Sequence, residues 1–198
     1  MADLFNKLSM TKNINPIQRK KIQSKPHCVM KSLFLFILIS AYSMADSYSQ
    51  SQWTSPNYGY TIEVPKDFEQ TNAVGQNVDF KAVKGKSSIV VIVNTLPVEY
   101  AAYNIWEILG DLETFGGEWQ SGAREYMNNP QFLKYGKTKI DGQDTFWYDY
   151  TTDSPKMYSK TYQAQKGRIV YTFTLTSPSE DYNMYSSVWF RFKNNIKF

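Results

Sequence analysis

Ile169-Val-Tyr-Thr-Phe-Thr-Leu-Thr176, followed at once by Ser177-Pro-Ser-Glu180, carries the change of period that decides the fold. In the first eight residues, Ile169, Tyr171, Phe173 and Leu175 share one side. Val170, Thr172, Thr174 and Thr176 share the other. A repeat of two in β-branched and aromatic residues is a strand with one strongly apolar face. The next four residues predict a helix start, with Ser177 as N-cap, Pro178 at the first helical position and Glu180 completing a capping box. Tyr185, Val188, Trp189, Phe192 and Ile196 then recur at helical spacing as a buried stripe. Arg191, Lys193 and Lys197 follow in the second half, where cations suit the helix dipole. A strand that runs straight into an amphipathic terminal helix implies a sheet with that helix packed on it.

Upstream lies the rest of a meander. Lys166-Gly-Arg168 is a turn, and Met157–Gln165 reads as the preceding strand. Asp153-Ser-Pro155 is another turn. Before it, Thr145–Thr151 sets Phe146, Tyr148 and Tyr150 on one face and Trp147 and Asp149 on the other. Asp141-Gly142 is a type I′ hairpin signal, because both central residues of that turn need positive φ. It joins Thr145–Thr151 to a strand over Phe132–Ile140.

Earlier still the period is helical. Ile105, Trp106, Ile108, Leu109, Leu112 and Phe115 fall on one side of a wheel, and Gly116-Gly117 is expected to close this helix. Glu118–Asn129 adds a weaker helical turn or two. Ser88–Asn94 is nearly continuous β-branched sequence, expected to be a central strand covered on both faces. It follows strands at Tyr58–Pro65 and Asn77–Val83, the latter joined to it through Lys84-Gly-Lys86. The class is α+β: an antiparallel sheet of about six to seven strands sandwiched by helices, with a C-terminal helix on the sheet.

The N-terminal third obeys different rules. Lys31 precedes the apolar run Leu33–Ile39, and Ser43 and Ala45 stand three and one positions before a cut at Ala45/Asp46. That is the order of an export signal. The run is short of the roughly 20 residues a membrane span needs. A retained anchor is the other reading. A start at Met30 would give a compact signal, leaving residues 1–29 as an upstream extension. Residues 1–45 are therefore read as leader, 46–52 as a polar linker and 53–198 as one domain. The domain is expected to be exported, periplasmic or extracellular, and a monomer or weak oligomer.

Removing the leader changes the chemistry. His27 and Cys28 are the only histidine and cysteine, and both go with it. The domain then lacks a general-base imidazole, a thiol nucleophile and the commonest metal ligands, which excludes Ser–His–Asp and Cys–His catalysis and zinc fingers. Seven of the chain's 22 basic residues and one of its 18 acidic ones lie in 1–45, leaving 15 against 17. The overall charge of +4 thus gives no reason to expect nucleic acid. Lys84, Lys86, Lys134, Lys137 and Lys139 are local basic spots that suit solvated turns and strand faces. No phosphate loop, dinucleotide fingerprint or nucleophile elbow occurs.

The remaining features are carboxylates and aromatic rings. Glu107 and Asp111 stand at i, i+4 on the polar helix face, the spacing of an oxygen cation site or of a wet helix surface. Asp141 and Asp144 flank a turn. Asp149 and Asp153 could form a glycosidase-type pair, with nothing in the sequence fixing their separation. Tyr148, Tyr150, Tyr158, Tyr162 and Tyr171 lie on adjacent strands, and either fill the core or line a ligand or partner surface. No catalytic, cofactor or metal residue is assigned. The expected role is that of a non-enzymatic accessory or scaffold binding a protein partner in the envelope. The alternatives are a small-ligand, peptide or glycan carrier using the tyrosine face, and a carboxylate-based hydrolase.

Trp53 with Tyr58-Gly-Tyr-Thr-Ile-Glu-Val-Pro-Lys-Asp-Phe68, and the closing strand and helix from Tyr171 to Phe198, resemble the opening and end of the PsbP/Mog1-like superfamily. The resemblance spans residues 53–198. It implies an antiparallel sheet between helices and usually a non-enzymatic role. The superfamily includes photosystem-associated lumenal proteins, a Ran-binding nuclear protein and exported bacterial proteins. The tail departs from the pattern, with Asn194-Asn-Ile-Lys-Phe198 in place of a Ser-Phe ending. Plant lumenal members of the superfamily bind metal through histidine and acidic residues, and no histidine follows residue 45 here.

Overall fold

A computed structural model of the chain describes residues 51–198. The segment read as a leader and the first part of the one read as a linker lie outside them. Two strands form a small hairpin, β1 (Ser51–Thr54) and β2 (Thr61–Val64). Seven more form one antiparallel sheet in the order β3-β4-β5-β9-β8-β7-β6. These are β3 (Glu69–Gln70), β4 (Val78–Lys84), β5 (Ser87–Thr95), β6 (Gln131–Ile140), β7 (Gln143–Thr152), β8 (Met157–Lys166) and β9 (Ile169–Pro178). Between β5 and β6 run α1 (Ile105–Leu109) and α2 (Leu112–Ala123), and α3 (Tyr182–Asn194) follows β9. The chain crosses after β5 to the far edge of the sheet. It then meanders back through β6, β7 and β8, so that β9 lands beside β5.

Register sorts the side chains. Lys160, Tyr162 and Ala164 of β8 pair with Leu175, Phe173 and Tyr171 of β9, and Ile89, Val91 and Val93 of β5 continue the row. This face is the main core, closed by Tyr185, Trp189, Phe192 and Ile196 from the C-terminal segment and by Tyr60, Ile62 and Val64 from the hairpin. On the opposite face a second core gathers Phe146, Tyr148, Tyr150 and Val170 beneath Ile105, Trp106, Phe115 and Trp119. Rings meet edge-on in both, as at Phe115–Phe146 (5.1 Å) and Tyr60–Phe173 (5.7 Å), the geometry their quadrupoles favour.

Several expectations need correction. The helix expected from Ile105 to Gly117 is two helices. Gly110 takes φ 62°, which breaks the first, and Asp111 caps the second by accepting from Thr114 N–H (2.9 Å). Gly116-Gly117 lies inside α2. Gly116 is there because the Phe132 ring sits 2.9 Å from where its Cβ would be. Strand β5 is central, but only Ser87, Ile89, Val91 and Val93 are buried, and alternate residues on the other face are half-buried. Ser177 does not cap a helix. It is the buried penultimate residue of β9, and a 3-10 turn over Ser179–Asp181 leads into α3. The last two residues assigned to the linker, Ser51 and Gln52, pair with Val64 and Glu63.

Candidate functional site

The five tyrosines do not form one surface. Tyr148 and Tyr150 lie beneath α2, with ring centroids 5.6 and 4.7 Å from Trp119. Tyr162 and Tyr171 are buried on the opposite face, in the main core. Alternate residues of a strand point to opposite sides, and both sides are covered here. Burial pushes the Tyr148 hydroxyl up to about 12 and raises that of Tyr162 as well, so these phenols stay neutral. Of the five, Tyr162 lines a feature that a partner can reach, and Tyr158, half-buried near the start of β8, binds the carboxylate behind it.

That feature grows from β7. Asp149 points to the α3 face and is 2% exposed. Its Oδ2 accepts from the Tyr158 hydroxyl at 2.6 Å and its Oδ1 from Lys160 Nζ at 2.7 Å. Burial, then the hydrogen bond to this carboxylate, pushes the Tyr158 hydroxyl far above the usual phenol range. The Tyr158 ring lies against Tyr182 with centroids 3.8 Å apart. Lys160 also sits 4.2 Å from the Trp147 ring centroid, a cation–π contact that fixes the indole from one side. Gly136, directly opposite Trp147 across the β6–β7 ladder, fixes it from another. A Cβ on Gly136 would lie 2.8 Å from Trp147 Nε1, so glycine is what lets the indole reach across β6 toward the sheet edge.

The result is a groove of about 220 Å³ between α3 and the β6–β8 part of the sheet. Thr138, Trp147, Lys160, Tyr162, Phe190 and Lys193 line it. Phe190 is 63% exposed, an unusual position for a large ring, and the Lys193 ammonium stands 5.7 Å from its centroid. Flat rings, an aliphatic stem and a surface ammonium can hold an apolar or aromatic side chain with an acidic neighbour. Both Asp149 oxygens are already engaged by Lys160 and Tyr158.

The other carboxylates serve structure. Glu107 Oε2 accepts from Asn104 N–H (2.8 Å) in the capping box of α1, and Asp111 caps α2. Neither is turned to a shared cation. Asp141 accepts from Phe198 N–H (2.9 Å), Asp144 from Lys139 (2.7 Å) and Asp153 from Asn129 (2.7 Å). Among the described residues, no three acids or other metal-binding side chains come together. Asp149 and Asp153 share no partner, which leaves the hydrolytic pairing without geometric support.

The fold is similar to that of a solved structure. The cyanobacterial PsbP protein (CyanoP) of Synechocystis sp. PCC 6803 superposes with a TM-score of 0.61 at 13% identity, over 75% of this chain and 92% of that one. This is a PsbP-like fold. A second solved structure, LpqN of Mycobacterium tuberculosis, described as involved in cell envelope biogenesis, gives a TM-score of 0.49 at 10% identity. It covers 80% of this chain and 95% of its own. No protein-family model matches the sequence, and no curated protein does. Among the described residues, no helix is long and apolar enough to cross a membrane.

Proposed function

We propose that this chain is an exported, non-enzymatic accessory protein that holds a protein partner in the groove beside α3. The observation that carries this reading is the exposed Phe190 ring, which with Lys193 lines the same groove as a Trp147 indole that Gly136 and Lys160 hold in place. Large exposed rings beside a fixed tryptophan are the composition of interaction anchors. The buried Asp149 supports the groove from behind, engaged by a lysine and a phenol. Export rests on the order Lys31, Leu33–Ile39, Ser43-Met-Ala45. The test is affinity purification of the tagged full chain from its native envelope after mild chemical cross-linking. A defined partner should be recovered with the wild-type chain and reduced several-fold with Phe190→Asp. Identical recovery from both would refute docking at this groove. Hydrolysis of any substrate in a broad screen, abolished by Asp149→Asn, would refute the non-enzymatic assignment.

A second reading draws on a polar pocket of about 500 Å³ lined by Tyr103, Asn104, Glu107, Gln143, Asp144 and Gln165. Planar hydrogen-bonding groups beside a tyrosine suit a hydroxyl-rich small ligand. The tyrosine faces themselves are largely filled by core packing, with Tyr162 reaching the groove beside α3.

A further inference from the structure

Strand β6 forms one edge of the seven-stranded sheet and is ten residues long. An antiparallel edge leaves alternate N–H and C=O groups directed away from its neighbour, ready to pair with another extended chain. The other edge presents β3, only two residues long. Along β6, Leu133, Lys134, Tyr135, Lys137 and Lys139 are exposed, and the strand contains no acid. The surrounding domain is slightly acidic, so three lysines on one edge strand stand out.

The two faces of β6 differ. Tyr135, Lys137 and Lys139 pair with Tyr148, Phe146 and Asp144, on the α1–α2 side. The Lys137 and Lys139 ammonium groups stand 5.4 and 5.7 Å from the Trp106 ring, and Lys139 also binds Asp144. Lys134, Gly136 and Thr138 pair with Asp149, Trp147 and Thr145, on the groove side. Because Gly136 has no side chain, the Trp147 indole reaches the edge there. A strand added outside β6 would therefore set one side chain against that indole, close to Phe190 and Lys193, and alternate side chains beside Lys137 and Lys139.

We propose that β6 pairs with an extended, acidic segment of a partner protein, one apolar or aromatic side chain of which enters the Trp147–Phe190 groove. This rests on the docking role proposed above and specifies its partner. The same lysines argue against a second copy of this chain. A twofold antiparallel pairing centred on Tyr135–Gly136 would put Lys134 opposite Lys137, and like charges directly opposed destabilise a ladder.

The probe is a fluorescein-labelled heptapeptide of alternating Glu and Val with Phe at its centre, followed by anisotropy with the full chain. Saturable binding is expected, together with slowed amide exchange in β6. Lys134→Glu with Lys137→Glu should weaken it about tenfold, whereas Lys66→Glu with Lys86→Glu should leave it unchanged. N-methylation of alternate peptide nitrogens removes main-chain donors and keeps every charge, and should also abolish binding in one of the two registers. No saturable binding, equal binding of both N-methylated registers, or unchanged β6 exchange would overturn edge pairing. Partner recovery that depends on Phe190 but survives the β6 charge reversal would overturn edge pairing alone. Peptide binding without any recovered partner would support the edge and count against the accessory role.

Discussion

Asp149 is the residue on which the groove depends. A carboxylate 2% exposed is tolerated because Lys160 and Tyr158 take both its oxygens, and its side chain and that of Lys160 retain only 3% and 18% exposure. Replacing one partner strands the other, which costs more than the pair contributes. Asp149→Asn should lower stability by about 3 kcal/mol in urea unfolding, and Asp149→Asn with Lys160→Met by clearly less than the sum of the two single changes. Additive losses would show that the ion pair is not coupled. Gly136 shows how much of this was readable beforehand. A two-residue Asp141-Gly142 turn fixes the ladder on either side of it, which puts Gly136 opposite Trp147 and Lys134 opposite Asp149 before any coordinates are known. Phe190 falls outside the stripe of Tyr185, Val188, Trp189, Phe192 and Ile196, so its outward setting follows from the helical period. What was less legible is the part of the sheet it stands beside, which waits on how α3 packs.

The C-terminal segment and the β6–β7 turn form one connected device. Thr61 N–H donates to Lys197 O (2.8 Å) and Lys197 N–H to Thr61 O (2.9 Å), so the tail extends the hairpin of β1 and β2. Asp141 clasps it from the turn, accepting from Phe198 N–H (2.9 Å) and Lys197 Nζ (3.2 Å). These bonds, the backbone one first, hold the Asp141 carboxyl below its ordinary range. A depressed acid contributes stability above its unfolded value, near 3.9, and loses it as pH falls through the folded value. Amide exchange at Thr61 should therefore be steady from about pH 7 to pH 5, after correction for intrinsic rates, and accelerate below about pH 4. Asp141→Asn should flatten that acid dependence; an unchanged profile would place the docking elsewhere. Asp141-Gly142 was legible as a turn, with φ 47° and 80° as type I′ requires. Its second role as a clasp was not, because 57 residues separate Asp141 from Phe198. The start of α3 failed for a related reason. Ser177-Pro-Ser-Glu180 has the composition of a cap, but Ser177 is held in β9 opposite Tyr158, and ladder pairing overrides local capping.

The architecture as a whole was legible because long meander strands and an aromatic helix stripe are strong periodic signals. The sheet has the expected antiparallel arrangement and number of strands, with helices on both faces. What periodicity could not supply was which face each helix covers. That assignment buries four of the five tyrosines and moves attention to the Trp147–Phe190 groove. The groove lies between the last helix and the edge formed by β6, so it is the place where a partner could touch helix and sheet together. The most direct measurement is photo-cross-linking in the native envelope, with a benzoylphenylalanine placed in turn at positions 190, 135 and 126. Tyr126, in the turn that follows α2, is exposed and serves as the comparison site. A single partner captured from 190 and 135 but not from 126 is the predicted result. Equal capture from all three positions, or none from 190, would contradict a docking groove beside α3.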